Sequence, residues 1–108
     1  MRMWNVNPKV MCNQHLLGEH VETHMFAGTI NRGISIKGYV EKGLVEVHNL
    51  RKRHDELVSE MLSRGMKHQS ILPTFTEEIL GKVDSVGNVK EMAKRCIKCG
   101  KLQEKYSV

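Results

Sequence analysis

The feature that most constrains this chain is the apolar spacing between Val47 and Met61. Val47, Leu50, His54, Leu57 and Met61 follow one another at intervals of 3, 4, 3 and 4, the period of one helix face. Val58 and Leu62 flank the stripe, and Gly65 supplies a C-terminal stop. The spacing predicts a helix from about Leu44 to Arg64. Such a helix gains most of its stability by packing its apolar face on something else. A chain of 108 residues has room for one core, so the partner must come from the same domain.

A second helix fits from Gln14 to Ile30, with Asn13 as its N-cap and Asn31-Arg32-Gly33 as its stop. Its expected buried stripe is Leu17, Val21, Met25 and Gly28. Residues 1–11 contain Pro8 and suit an extended arm. Residues 33–43 are punctuated by Gly33, Gly38 and Gly43 and read as a loop, or as a loop leading into a short helical turn. Pro73 breaks the next segment, after which Thr74 or Thr76 would cap a short helix through Leu80, with Glu77 and Glu78 favourable in its first turn. Asn88 would cap a last helix carrying Val89, Met92, Ala93 and Cys96 on one side, ending or fraying at Gly100. No convincing strand pair is present. The pattern predicts one all-α domain over residues 1–108.

Composition supports a folded chain: 40% of residues are hydrophobic and 27% charged. With 5% aromatics and seven Met, the core must be built from Leu, Val, Ile and Met. No apolar run approaches the roughly 20 residues that span a bilayer, and no secretory signal is visible. Cys12, Cys96 and Cys99 cannot all pair within one chain, so a reduced, intracellular protein is expected. The net charge of +5 fits a phosphate-backbone partner and fits an ordinary basic protein equally well.

The candidate chemistry lies on the first helix. His15, Glu19 and Glu22 stand at i, i+4 and i+7, on one face, just behind the N-terminal arm. A carboxylate beside an α-amine can act as general acid/base next to an amine nucleophile. An α-amine ordinarily titrates near pH 8 (about 7.7–8.0) and is partly neutral under physiological conditions. Because residue 2 is Arg, Met1 is expected to be retained. Against this stands the ordinary behaviour of such groups, a frayed terminus and a solvated glutamate.

Other constellations have two readings each. His20 and His24 are spaced to share a metal on one helix face, yet two ligands are not a site. His54 sits inside the apolar stripe and reads as a hydrogen-bonded core histidine. Cys96-Ile97-Lys98-Cys99-Gly100 is half of a zinc site, whose other half would be Cys12 with a histidine or a second subunit. Equally, the two cysteines read as small core residues. Arg51-Lys52-Arg53-His54 offers phosphate contacts or a solvated helix face. No metal ligand and no cofactor is assigned.

Gln14-His15-Leu16 followed by Glu19 and Glu22, together with LRKRHDELVSEMLSRG from Leu50 to Gly65, resembles the phage endonuclease V type of pyrimidine-dimer DNA glycosylase. The opening MRMWNVNPK is similar to the start of bacterial relatives with that activity. The resemblance covers about the first two-thirds of the chain. It implies a single compact helical domain with two long packed helices and the N-terminal arm inserted between helices. It implies that the Met1 α-amine attacks C1′ of the damaged nucleotide, that Glu22 assists ring opening and proton transfer, and that β-elimination then nicks the strand. Arg2, Gln14 and His15, with Arg51 and Arg53, would contact DNA. The implied partner is double-stranded DNA with damaged bases, bound by a monomer without a cofactor. Val21 and Met25 stand where the family carries arginines that contact phosphates, each such contact being worth about 1–3 kcal/mol. The family's aromatic-rich tail is replaced by a Lys-rich end carrying CxxC, with Tyr106 the aromatic left there. A non-enzymatic nucleic-acid-binding protein, stabilised by zinc through Cys96 and Cys99, is the alternative, and a structural phage or bacterial protein is a third.

Overall fold

In the computed structural model, which describes residues 1–68 and 70–106, five α-helices carry the fold. They are α1 (Asn13–Asn31), α2 (Lys37–Glu41), α3 (Leu50–Ser63), α4 (Ser85–Arg95) and α5 (Ile97–Tyr106). Every regular element among the described residues is helical, as the sequence predicts.

The Val47–Met61 stripe is buried along its whole length. Its helix starts later than the spacing suggests: Val47–Asn49 form a 3-10 turn, and α3 begins at Leu50. Residues 44 to 46 are instead used by other chain segments. Leu44 O accepts from Met3 N–H at 2.7 Å, and the Glu46 carboxylate accepts from Val83 N–H at 2.6 Å. A helix there would have taken up the Leu44 carbonyl internally.

α1 packs along α3, but on a different face from the expected one. Leu16, Glu19, His20, Thr23, Phe26 and Ala27 are buried. Leu17, Val21 and Met25 are 41%, 52% and 49% exposed. The apolar residues of α1 lie all round its circumference, so periodicity singles out no side. The interface is decided by polar matches across it, Glu19 to Arg53 and His24 to His54.

The N-terminal arm is part of the core. Met3, Trp4, Val6, Val10 and Met11 are all buried. The arm runs between α3 and the α4–α5 pair: the Arg53 guanidinium donates to Val6 O (2.6 Å), and Asn88 Nδ2 donates to Trp4 O (2.8 Å). A 3-10 turn at Pro8–Val10, capped by the Asn7 side chain, then leads into α1.

Three expectations for the C-terminal third are corrected. No helix forms between Thr74 and Leu80. The segment has no regular structure and docks through buried Leu72, Phe75 and Val83 and a bond from Val47 N–H to Leu80 O (2.9 Å). Leu72, Phe75, Ile79 and Val83 do recur at 3, 4 and 4, yet Ile79 is exposed, so bonding to residues near Val47 rather than that period sets the conformation. Gly81 closes this segment at φ +91°, where a Cβ would lie 2.1 Å from Val45 O. The cap of α4 is Asp84, which accepts from Gly87 N–H, whereas Asn88 lies inside the helix and is buried. Gly100 does not end the last helix. The break falls at Cys96, whose backbone is extended, and α5 passes through Gly100.

Candidate active site

The polar face of α1 forms one wall of a cleft of about 350 Å³. Gln14, His15, Gly18, Glu19 and Glu22 line it from α1, and Arg2 and Trp4 line it from the arm. Helical spacing explains the first group; the bond from Met3 N–H to Leu44 O fixes the second. Arg2 stacks its guanidinium on Trp4, 3.7 Å from the ring centre, and its Nη2 donates to Asn88 Oδ1 and Glu91 Oε2, both at 2.9 Å. With residue 2 clamped and residue 3 bonded, residue 1 has little freedom. The Met1 α-nitrogen lies 3.8 Å from Glu22 Oε1.

Burial pushes the Glu22 carboxyl above the ordinary glutamate range. The Met1 amine, the Arg2 N–H and the Arg2 guanidinium act against that rise, while the Glu19 charge adds to it. Glu22 is 29% exposed, enough for a substrate to reach it. Glu19 is enclosed, and both its oxygens accept from Arg53, at 2.5 and 2.9 Å. The two carboxylates of the stripe are thus separated in kind, one locked in an ion pair and one open beside an amine.

The profile of the pyrimidine dimer DNA glycosylase family matches residues 1–74. The chain belongs to that family. Membership implies a DNA substrate and a glycosylase role. The matched residues include the arm, α1, α2 and α3, and hence every residue that lines the cleft. No curated protein and no solved structure matches the chain. Among the described residues, no helix is long and apolar enough to cross a membrane.

Within this glycosylase-family fold, Met1, Arg2, Gln14, His15 and Glu22 gather at one cleft, with Gln14 exposed at its mouth. His15 turns Nδ1 away from the cleft, 3.2 Å from Cys12 Sγ, and sets its ring edge-on to Trp4. Arg51 lies elsewhere, beside Lys9, His48 and Lys52 around a second concavity, with Glu77 at 3.2 Å and the Phe75 ring at 5.2 Å. Arg53 is corrected. It is 1% exposed, and its guanidinium bonds Glu19, Val6 O and Met11 Sδ inside the core, so it cannot reach DNA from there. A run of adjacent basic residues on a helix must point in several directions, and Arg53 is the one that points inward. Trp4 and Glu91 carry no sequence signal for this site, and Asn88 reads from sequence only as a helix cap. Trp4 walls the cleft, and Asn88 and Glu91 hold Arg2 from more than 80 residues away. No local signal marks such long-range partners.

Proposed function

We propose that this chain is a DNA glycosylase with associated abasic-site lyase activity, acting on pyrimidine dimers in double-stranded DNA through its N-terminal α-amine. The observation that supports this reading is the 3.8 Å approach of the Met1 nitrogen to Glu22 in a cleft that remains open. The neutral amine attacks C1′ and the glycosidic bond breaks, its electron pair going to the base nitrogen, which takes a proton from solvent. Glu22 takes the proton that the attacking nitrogen sheds and delivers it to O4′ as the C1′–O4′ bond opens, leaving an imine on Met1. The Glu22 carboxylate then removes a C2′ proton, the C3′–O3′ bond breaks, and water hydrolyses the imine. To expose C1′ the lesion must be flipped or the duplex distorted. Arg2, Gln14 and His15 meet the DNA at the cleft, and Arg51 meets a phosphate farther along α3. The exposed Leu17, Val21 and Met25 present an apolar rather than a cationic edge next to Glu22.

Borohydride trapping tests the chemistry. The expected result is a covalent adduct on DNA carrying a cyclobutane dimer and on abasic-site DNA, lost when the α-amine is blocked. The proposal fails if neither substrate gives an adduct, or if the adduct survives blocking. Intact mass of the purified protein checks that Met1 is its first residue.

A further inference from the structure

Three thiols and an imidazole converge where α5 meets the arm. Cys12 precedes α1 and His15 lies in its first turn; Cys96 is the extended residue between α4 and α5, and Cys99 lies in the first turn of α5. Cys12 Sγ is 3.8 Å from Cys96 Sγ and 3.2 Å from His15 Nδ1, and Cys99 Sγ is 3.6 Å from that nitrogen. The four donor atoms all lie within 4.8 Å of one another. Tetrahedral zinc, with bonds of about 2.3 Å to sulfur and about 2.0–2.1 Å to nitrogen, needs edges of about 3.8 Å between sulfurs and about 3.6 Å from sulfur to nitrogen. The Cys12–Cys96 and Cys99–His15 edges are of that size, and the Cys12–His15 edge is somewhat shorter. We propose that Cys12, His15, Cys96 and Cys99 form a structural zinc site.

The backbone is arranged for thiolates. Cys12 N–H donates to Cys99 Sγ (3.2 Å), and Cys99 N–H donates to Cys96 Sγ (3.4 Å). Core packing accounts for a buried Cys99. It does not account for an imidazole nitrogen directed at the sulfurs, nor for partly exposed Cys96 beside them. All three cysteines are free thiols. The ion would join α5 and the α4–α5 break to the start of α1, and would fix the ring of His15 at the cleft wall.

The test uses the full chain purified with zinc present. Zinc should protect the three thiols from alkylation, and cobalt should give thiolate charge-transfer absorption with tetrahedral visible bands. His15→Cys should keep the ion and move the cobalt spectrum towards that of four thiolates; Cys99→Ser should lose it. Thiols that react equally with and without zinc in the folded wild-type chain would overturn the site without recourse to any variant. So would a Cys12–Cys96 disulfide in protein from a reducing cytoplasm.

A separate observation carries a second site. His20 and His24 of α1, His54 of α3 and His68 bring four ring nitrogens within 4.8 Å of one another. His24 Nε2 and His54 Nε2 are 3.2 Å apart, close to the edge of about 3.3 Å that a tetrahedral ion bound by four imidazoles would set. A hydrogen bond explains that pair alone. It leaves Nε2 of His20 and of His68 buried with no partner. His54 Nδ1 is oriented by Asp55 Oδ1 at 3.0 Å, which frees Nε2 to be a ligand. The geometry assigns to these four histidines a closed site for a first-row divalent cation of the zinc class. The double variant His24→Ala/His68→Ala should lose one equivalent of zinc while the thiolate–cobalt bands persist. A wild-type chain that takes up no metal beyond the thiolate site, with imidazole NMR signals unchanged by excess zinc, would overturn it.

Discussion

Glu22 is held where its ionised form is disfavoured, and this has a consequence for stability as well as for chemistry. A carboxyl whose folded pKa is raised contributes stability that is full below the ordinary value and is lost as pH rises through the raised one. Glu22→Gln does not titrate. It should therefore melt higher than wild type at about pH 7, with the difference closing towards about pH 4. Strand nicking should fall by roughly 10²–10⁴-fold in the same variant, read by single-turnover kinetics. Glu19, one turn away, is locked in an ion pair instead. Its pair with Arg53 is enclosed on both sides, so Arg53→Ala strands a buried carboxylate and should cost about 3–5 kcal/mol in chemical denaturation. At this scale the sequence shows residue types and their faces. The i, i+4, i+7 stripe is a single face in the fold, and its residues do line one cleft. Which glutamate is open and which is locked was not legible, because Arg53 reaches Glu19 across 34 positions of chain.

The helices differ in how plainly the sequence announces them. α3 has a strict apolar period and a glycine stop at φ +81°, and both survive in the structure. α1 is legible as a helix but not in its orientation, since polar pairs rather than an apolar stripe choose the buried side. The segment before α4 looks helical in sequence because Thr74 and Thr76 resemble caps; what holds it is bonding to Glu46 and Val47, a non-local cause. Gly81 tests that account. Its Cβ-free backbone lets the chain pass Val45 O, so Gly81→Ala should destabilise by at least about 1–3 kcal/mol, measured by thermal and denaturant unfolding. A helical segment in this place would have tolerated the change.

The molecule as a whole carries +5, and its affinity for DNA should fall linearly with the logarithm of salt concentration. Arg51→Ala should flatten that slope by about 1 and weaken binding to damaged and undamaged duplexes alike. Folding stability should change by less than about 1 kcal/mol, because the Arg51–Glu77 pair is exposed on both sides. Fluorescence anisotropy titrations over a salt series, with melts alongside, separate the two effects. The arm that bears the Met1 amine is clasped from the far end of the chain: Asn88 and Glu91 hold Arg2, Asn88 holds Trp4 O, and Cys12 N–H meets Cys99. Synthesis runs the other way. The first residue leaves the ribosome long before its clasp exists, so an unfinished chain presents an amine without its setting. In the proposed mechanism, activity switches on only once α4 and α5 have emerged and docked, so these two helices would time the Met1 amine.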